Sequence, residues 1–278
     1  MTPIAVSGRD LMIKKRIDIS ISEVSEAYAG PVGTLWEMMM GEEIHIGGAR
    51  ATRELAAMAG IRKDAHVLDI CSALGGPARH LAADFGCRVT GLDATPEMVE
   101  EAKRRTAATG LDGRVNFRLG NAIDLPFRAS SFDTVWGQDA WCYVTDKARL
   151  ICEAGRVIKP GGTIAFTDWI QIVDVPDREL DPLLIFMLFP YMETTGGYTR
   201  LLEENGWEVT TVDNLSRDFA VQLTRYLETI QGELRPEITQ RFGHGFYSAA
   251  EEGIALWEKA AHEGKVGRGL WVAKKTGT

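Results

Sequence analysis

Residues 65–76 read Ala65-His66-Val67-Leu68-Asp69-Ile70-Cys71-Ser72-Ala73-Leu74-Gly75-Gly76, and this stretch decides the fold. Its first half is a short, mostly apolar run, as expected of a strand buried on both faces of a parallel sheet. Its second half is a tight loop of small residues. Residues 77–85 then predict a helix, with proline in the first turn and Gly86 just past the end. Strand, loop and helix together make one unit of an α/β fold.

The same grammar repeats downstream. Residues 88–93 predict a second strand, and Thr95-Pro96-Glu97 caps and opens a second helix that runs to Gly110. Residues 114–119, 132–137 and 162–167 predict three more strands, and 146–158 a helix that stops before Lys159-Pro160-Gly161-Gly162. Such alternation implies a parallel sheet with right-handed crossovers and helices on both faces. Residues 1–63 read as a helical lid and 64–170 as the ligand-binding core. Residues 171–278 read as a cap, a helical insertion and the closing strands of the same sheet. Within that last part, 171–192 is a proline-interrupted apolar cap over the sheet edge and 197–204 a helix. Residues 207–212 form an amphipathic strand, 217–263 are helical, and 269–274 form the final strand.

The 278 residues are 45% hydrophobic and 25% charged, with 29 Gly, 10 Pro and 4 Cys, which excludes a disordered, collagen-like or disulfide-built chain. The net charge of −8, with no run of five like charges, leaves no footprint for a phosphate backbone, so no nucleic-acid partner is expected. The longest apolar stretch, residues 183–189, is far short of the ~20 residues that a membrane span needs. Cys71, Cys87, Cys142 and Cys152 form no C-x-x-C pair, which argues for reduced thiols and against a metal ribbon. The expectation is a cytoplasmic protein, monomeric or homodimeric, without a bound metal.

In an open parallel sheet the ligand lies outside the carboxyl ends of the strands, where the crossover direction switches. Asp69 stands at that mouth. A dinucleotide site wants G-x-G-x-x-G, and Cys71, Ala73 and Gly76 occupy those positions, so a diphosphate cradle is missing. A carboxyl there repels a diphosphate and attracts a ligand bearing a sulfonium and an amino group. Asp93 ends the second strand, where an acid can accept both hydroxyls of a ribose.

With Gly120-Asn121-Ala122 after the third strand and Val157-Ile158-Lys159-Pro160-Gly161-Gly162 before the fifth, the chain resembles the class I S-adenosylmethionine-dependent methyltransferases. Four segments make it most similar to the sarcosine/dimethylglycine N-methyltransferases and their phosphoethanolamine methyltransferase relatives. These are Glu43-Ile44-His45-Ile46-Gly47, Leu74-Gly75-Gly76-Pro77-Ala78-Arg79, Gln138-Asp139-Ala140, and Gly264-Lys265. The resemblance implies a Rossmann-like fold with a seven-stranded mixed sheet and an antiparallel last pair of strands. It also implies S-adenosyl-L-methionine as cofactor, with S-adenosyl-L-homocysteine as product. Asp69, Cys71, Ser72, Ala73 and Gly75 would surround the methionine part. Asp93 would hold the ribose, with Ala94 among the cofactor contacts. Asn121 and Ala122 would contact adenine, Met98 would pack on its face, and Gln138 would sit near the methionine carboxylate or the methyl group. The family has glycine where this chain has Cys71 and Ala73.

Methyl transfer to nitrogen is an in-line displacement, so the protein mainly aligns the reactants and excludes water. An ammonium acceptor with a Lys-like pKa of about 10.4 is neutral in only about one molecule per thousand at pH 7. A group must take its proton, or the pocket must select the neutral amine. Tyr143, where related enzymes often have His, and His45 are the candidates. Tyr28, Trp36, Trp141 and Trp169 could form an aromatic cage for a methylated ammonium. Arg178 or Arg200 could bind a carboxylate or phosphate on the acceptor. The expected acceptor is a small amine such as sarcosine or dimethylglycine. The alternatives are a phosphobase, thiol, hydroxyl or arsenic acceptor, or a non-catalytic adenosine-ligand module.

Overall fold

A computed structural model describes residues 17–276. Five strands form in the order of the strand-helix repeat: β1 (His66–Ile70), β2 (Arg88–Asp93), β3 (Val115–Leu119), β4 (Phe132–Gln138) and β5 (Ile158–Gln171). They pair in parallel, while β6 (Trp207–Asn214) and β7 (Val266–Lys275) complete a seven-stranded sheet of order β3-β2-β1-β4-β5-β7-β6. β7 lies antiparallel to both β5 and β6. The chain leaves β1 toward β2 on one side and returns to β4 on the other. The switch point, and the crevice it opens, therefore lie at the carboxyl ends of β1 and β4.

Three helices precede β1: α1 (Ile21–Ala29), α2 (Pro31–Met40) and α3 (Gly48–Ala59). Ser20 and Glu23 start α1 with a capping box. The Ser20 Oγ accepts from the Glu23 N–H at 3.2 Å, and the Glu23 carboxylate accepts from the Ser20 N–H at 2.8 Å. Helices α4 (Gly76–Phe85), α5 (Pro96–Ala108) and α6 (Lys147–Val157) are the crossovers. α7 (Asp177–Met187) and α8 (Thr195–Glu204) follow β5, and α9 (Ser216–Gln231), α10 (Arg235–Phe242) and α11 (His244–His262) lie between β6 and β7.

Both faces of the sheet are covered by apolar clusters. Leu55, Leu81 and Val99 of α3 to α5 pack on one face, and Leu150, Ile151 and Tyr198 of α6 and α8 on the other. A third cluster joins Trp36 of α2 to Leu184, Phe219 and Trp257 of α7, α9 and α11. The lid and the insertion thus share one core. A further tie fastens the lid to the loop after β1: buried Arg79 donates to the Leu74 carbonyl at 2.8 Å and to Glu42 at 2.6 Å.

Two elements differ from the sequence expectation. β5 extends well beyond 162–167, because it bulges between its pairings with Phe132 and Thr134 and its last four residues pair with β7. The 217–263 stretch is three helices, since Pro236 opens α10 and Gly243 takes φ 87° before α11. In contrast, α7 runs on through Pro182 and stops only at Leu188, which is left-handed at φ 57°.

Gly75 shows what the loop after β1 demands of its residue. Its φ is +73°, and a Cβ there would sit 2.3 Å from the Phe117 ring. Gly75→Ala is expected to cost about 2–4 kcal/mol from the left-handed backbone and overpacking together, read by urea unfolding. A change below about 0.5 kcal/mol would show that the loop is not packed this way.

Candidate active site

The loops after β1, β2, β3 and β4, closed over by α1, surround a cavity of about 310 Å³. The loop after β1 is built from alternating left-handed residues: Cys71 at φ 64°, Ala73 at φ 42° and Gly75 at φ 73°. The Cys71 and Ser72 N–H groups donate to the Leu92 carbonyl at 2.7 and 3.0 Å, while the Ala73 N–H donates to Asp93 Oδ2 at 2.8 Å. Positive φ is what makes glycine the usual choice at such positions. Cys71 and Ala73 adopt it at a cost of roughly 1–2 kcal/mol each.

The cavity carries carboxylates and no basic side chain: none of the described residues lining it is Lys, Arg or His. Asp69 is 2% exposed, and burial, reinforced by Asp93, pushes its pKa up to about 7. Burial also raises Asp93, although the Thr95 and Ala73 N–H groups bond to its two oxygens and oppose the shift. The Cys71 thiol is held protonated by burial and by the carboxylates of Asp93, Asp69 and Asp168. Asp69, Ser72 and Gln138 each keep one buried polar atom, Oδ2, Oγ and Nε2, with no partner in the protein. A ligand offering both donors and acceptors would complete all three.

A small aromatic chamber of about 10 Å³, room for one water, adjoins the cavity. Tyr28 of α1 and Tyr143 stand between the two spaces. Their hydroxyls are hydrogen-bonded and their rings meet edge to face at 5.3 Å. Burial raises the pKa of both phenols, so both are protonated near neutrality. Trp36, Trp169, Met40 and Met187 form much of the remaining wall. Asp139 lies between cavity and chamber and organises the floor. Its Oδ1 accepts from Arg268 Nε at 2.7 Å and Thr167 Oγ1 at 2.8 Å, and its Oδ2 from the Ile46 N–H at 2.9 Å. Both members of the pair are nearly sealed from water, at 3% and 2% side-chain exposure.

Ten of the eleven expected cofactor residues line the cavity: Asp69, Cys71, Ser72, Ala73, Asp93, Ala94, Met98, Asn121, Ala122 and Gln138. Gly75 does not, and serves the turn. Tyr28 and Tyr143 border both spaces, whereas His45, Trp36 and Trp169 line the chamber only. Trp141 is core: it is fully buried, stacks on Phe166 at 4.3 Å and donates to the Ile70 carbonyl at 3.3 Å. Gly137 makes that possible, because a Cβ there would meet the indole at 2.3 Å. Arg178, on α7, is 84% exposed beside Glu179, and Arg200, on α8, is exposed, so neither reaches the site. The sequence reading passed over Asp139, Arg268 and Thr52, as well as Ser20, Val24 and Ser25 of the lid. The Ser20–Glu23 capping box was the available signal for the lid helix. Nothing local pointed to the 139–268 pair, which joins distant parts of the chain.

This geometry belongs to a methyltransferase fold, and residues 68–166 match the methyltransferase domain family. The chain is a class I S-adenosylmethionine-dependent methyltransferase. It is 28% identical to a sarcosine/dimethylglycine N-methyltransferase of Halorhodospira halochloris over 251 residues, covering 84% of this chain and 88% of that one. It is also 28% identical to a glycine/sarcosine/dimethylglycine N-methyltransferase of Actinopolyspora halophila over 229 residues, covering 82% of this chain but only 40% of that longer protein. Phosphoethanolamine N-methyltransferase 2 of Haemonchus contortus, solved with phosphomonomethylethanolamine and S-adenosylhomocysteine, superimposes with a TM-score of 0.84 at 21% identity. That match covers 93% of this chain and 60% of that one. Among the described residues, no helix is long and apolar enough to cross a membrane.

Removing one partner of the buried pair leaves the other charge uncompensated. Arg268→Ala is expected to lose about 3–5 kcal/mol in urea unfolding, and Arg268→Leu combined with Asp139→Leu distinctly less. Equal losses in the two variants would mean that the charges matter only as volume.

Proposed function

We propose that the protein transfers the methyl group of S-adenosylmethionine to the nitrogen of a small amine seated in the cavity against Tyr28 and Tyr143, at the mouth of the aromatic chamber, with sarcosine and dimethylglycine as the first acceptors to test. The observation that carries this reading is the charge of the cavity, where buried Asp69 and half-buried Asp93 stand with no basic residue among the described lining residues. A ligand with a sulfonium and an ammonium relieves that arrangement, and a diphosphate would aggravate it. The unpartnered atoms of Asp69 and Ser72, and the free end of the Gln138 carboxamide, fit the polar amino-acid end of such a ligand. In this reading Asp69, Ser72 and Gln138 hold the methionine part, Asp93 the ribose, and Asn121, Ala122 and Met98 the adenine. When bound, the cofactor supplies an electrophilic methyl carbon on sulfur.

The chain's own work is alignment and exclusion of water. α1 brings Ile21, Val24 and Tyr28 over the cavity. The rings of Trp36, Trp169, Tyr28 and Tyr143 offer π faces to an alkylated ammonium, which suits an amine better than a hydroxyl or thiol acceptor. The N-methyltransferase names of the relatives support the same choice. Tyr143 as proton acceptor loses support, because its phenol is raised by burial and already bonded to Tyr28. His45 is spent as well, with both ring nitrogens in hydrogen bonds. Selection of the neutral amine by a water-excluding wall at the chamber mouth is then the simpler route. The thiols of Cys71 and Cys142 are both held protonated by burial, which weighs against a thiolate pair for arsenic.

Mass spectrometry of products from a panel of amines, thiols and phenols tests the acceptor. Methylated amine and S-adenosylhomocysteine forming in equal amounts is the expected result. Turnover confined to oxygen or sulfur acceptors would contradict the amine, and cofactor binding without turnover would favour a binding module. Tyr143→Phe discriminates the two proton routes. Loss of one neutral hydrogen bond predicts a fall in kcat/KM of about tenfold or less, whereas loss of a general base predicts roughly 10²–10⁴.

A further inference from the structure

One hydrogen-bonded chain runs through the wall between the two spaces. His45 lines the chamber, Gln138 lines the cavity, and Thr52 of α3 stands between them. Thr52 Oγ1 lies 3.1 Å from His45 Nε2 and 2.9 Å from Gln138 Oε1, and all three residues are buried. At the far end, His45 Nδ1 is 3.1 Å from the Ile46 carbonyl oxygen, which can only accept.

A threonine hydroxyl has a single hydrogen. If it goes to Gln138 Oε1, His45 must donate through Nε2. A neutral ring then turns a bare Nδ1 lone pair onto the Ile46 carbonyl, one acceptor facing another. A second ring proton would cure this. Burial opposes it, however, and moves the His45 pKa down to about 4; Arg268 adds to that shift, against the pull of Asp139 and Glu43. The other solution is to turn the carboxamide over, since its two ends have the same shape and only the hydrogen count distinguishes them. Nδ1–H then donates to Ile46, Nε2 accepts from Thr52, and the Gln138 NH₂ donates to Thr52 Oγ1. The carbonyl oxygen of Gln138 takes the place of the unpartnered nitrogen.

We infer that Thr52 and His45 are positioning residues that hold the Gln138 carboxamide with its oxygen toward the cofactor, adding a second acceptor to the carboxylate of Asp69. This rests on the reading of the cavity as the cofactor site. An oxygen-lined wall favours the cationic cofactor over the product, whose sulfur has lost its charge, and so helps the product leave.

Nitrogen-15 NMR of histidine-labelled protein without ligand reads the chain directly. The hydrogen of His45 is expected on Nδ1, and an Nε2–H tautomer or an imidazolium near neutral pH would overturn the inference. Calorimetric affinities supply the second arm. Thr52→Val is expected to lower the preference for S-adenosylmethionine over S-adenosylhomocysteine about three- to tenfold, the worth of one neutral hydrogen bond, and Thr52→Ser to restore it. Equal weakening of both ligands in Thr52→Val, or no recovery in Thr52→Ser, would also overturn it. Failure of the unmodified protein to bind either ligand would instead sink the cofactor site, while the tautomer still decides the orientation of Gln138.

Discussion

A buried carboxylate and a half-buried one that repel each other, with no basic residue among the described lining residues, are the constraint around which the site is arranged. Asp69 is the last residue but one of β1 and Asp93 the last of β2, adjacent strands that pair in register, so the sheet itself brings the charges together. The protein stabilises them unequally. Asp93 takes a backbone N–H on each oxygen, whereas Asp69 Oδ2 has no partner at all. Asp69 is therefore the group whose ionisation yields, and the group that the proposed cationic ligand would rescue.

The chamber depends on a second buried charge, one that is fully matched. Asp139 sits in a left-handed conformation at φ 53° just after β4, and Arg268 reaches it from β7. The pair also takes in Thr167 of β5 and the backbone of Ile46, so the central strands, the closing strand and the lid meet at one carboxylate. Trp169, at the end of β5, packs edge to face on Phe219 and Trp257 of the insertion at 4.8 and 4.9 Å. The aromatic wall is therefore supported from behind by the same helices that bury the lid. Such a site can do chemistry by placement and dryness.

The strand-helix repeat from β1 to β5 was legible because each unit carries local signals: buried apolar runs, prolines at helix starts, glycines at helix ends. The residues that line the cavity were legible for the same reason, since they sit at fixed offsets from strand ends. Cys71 and Ala73 stood out against the glycines of the related enzymes, and their positive φ values show that the backbone there still follows the glycine geometry. What failed was direction and reach. Trp141 and Tyr143 are two residues apart, yet one faces the core and the other the site, a difference set by a short 3-10 turn and by the space over Gly137. Arg178 and Arg200 were plausible by charge alone, but their helices turn them to water. Contacts between distant segments, such as Arg268 with Asp139 or Thr52 with Gln138, leave no mark in a single sequence.

The most direct measurement is the proton balance of S-adenosylmethionine binding, taken by calorimetry at pH 7 in buffers of different ionisation enthalpy. With its pKa near 7, Asp69 is about half protonated in the free protein, and a bound cation lowers that pKa, so up to about half a proton is released per ligand. The release should fade above pH 8, where Asp69 is already ionised, and vanish in Asp69→Asn. Binding at pH 7 with no proton exchange, or with uptake, would contradict the central role of the buried carboxylate.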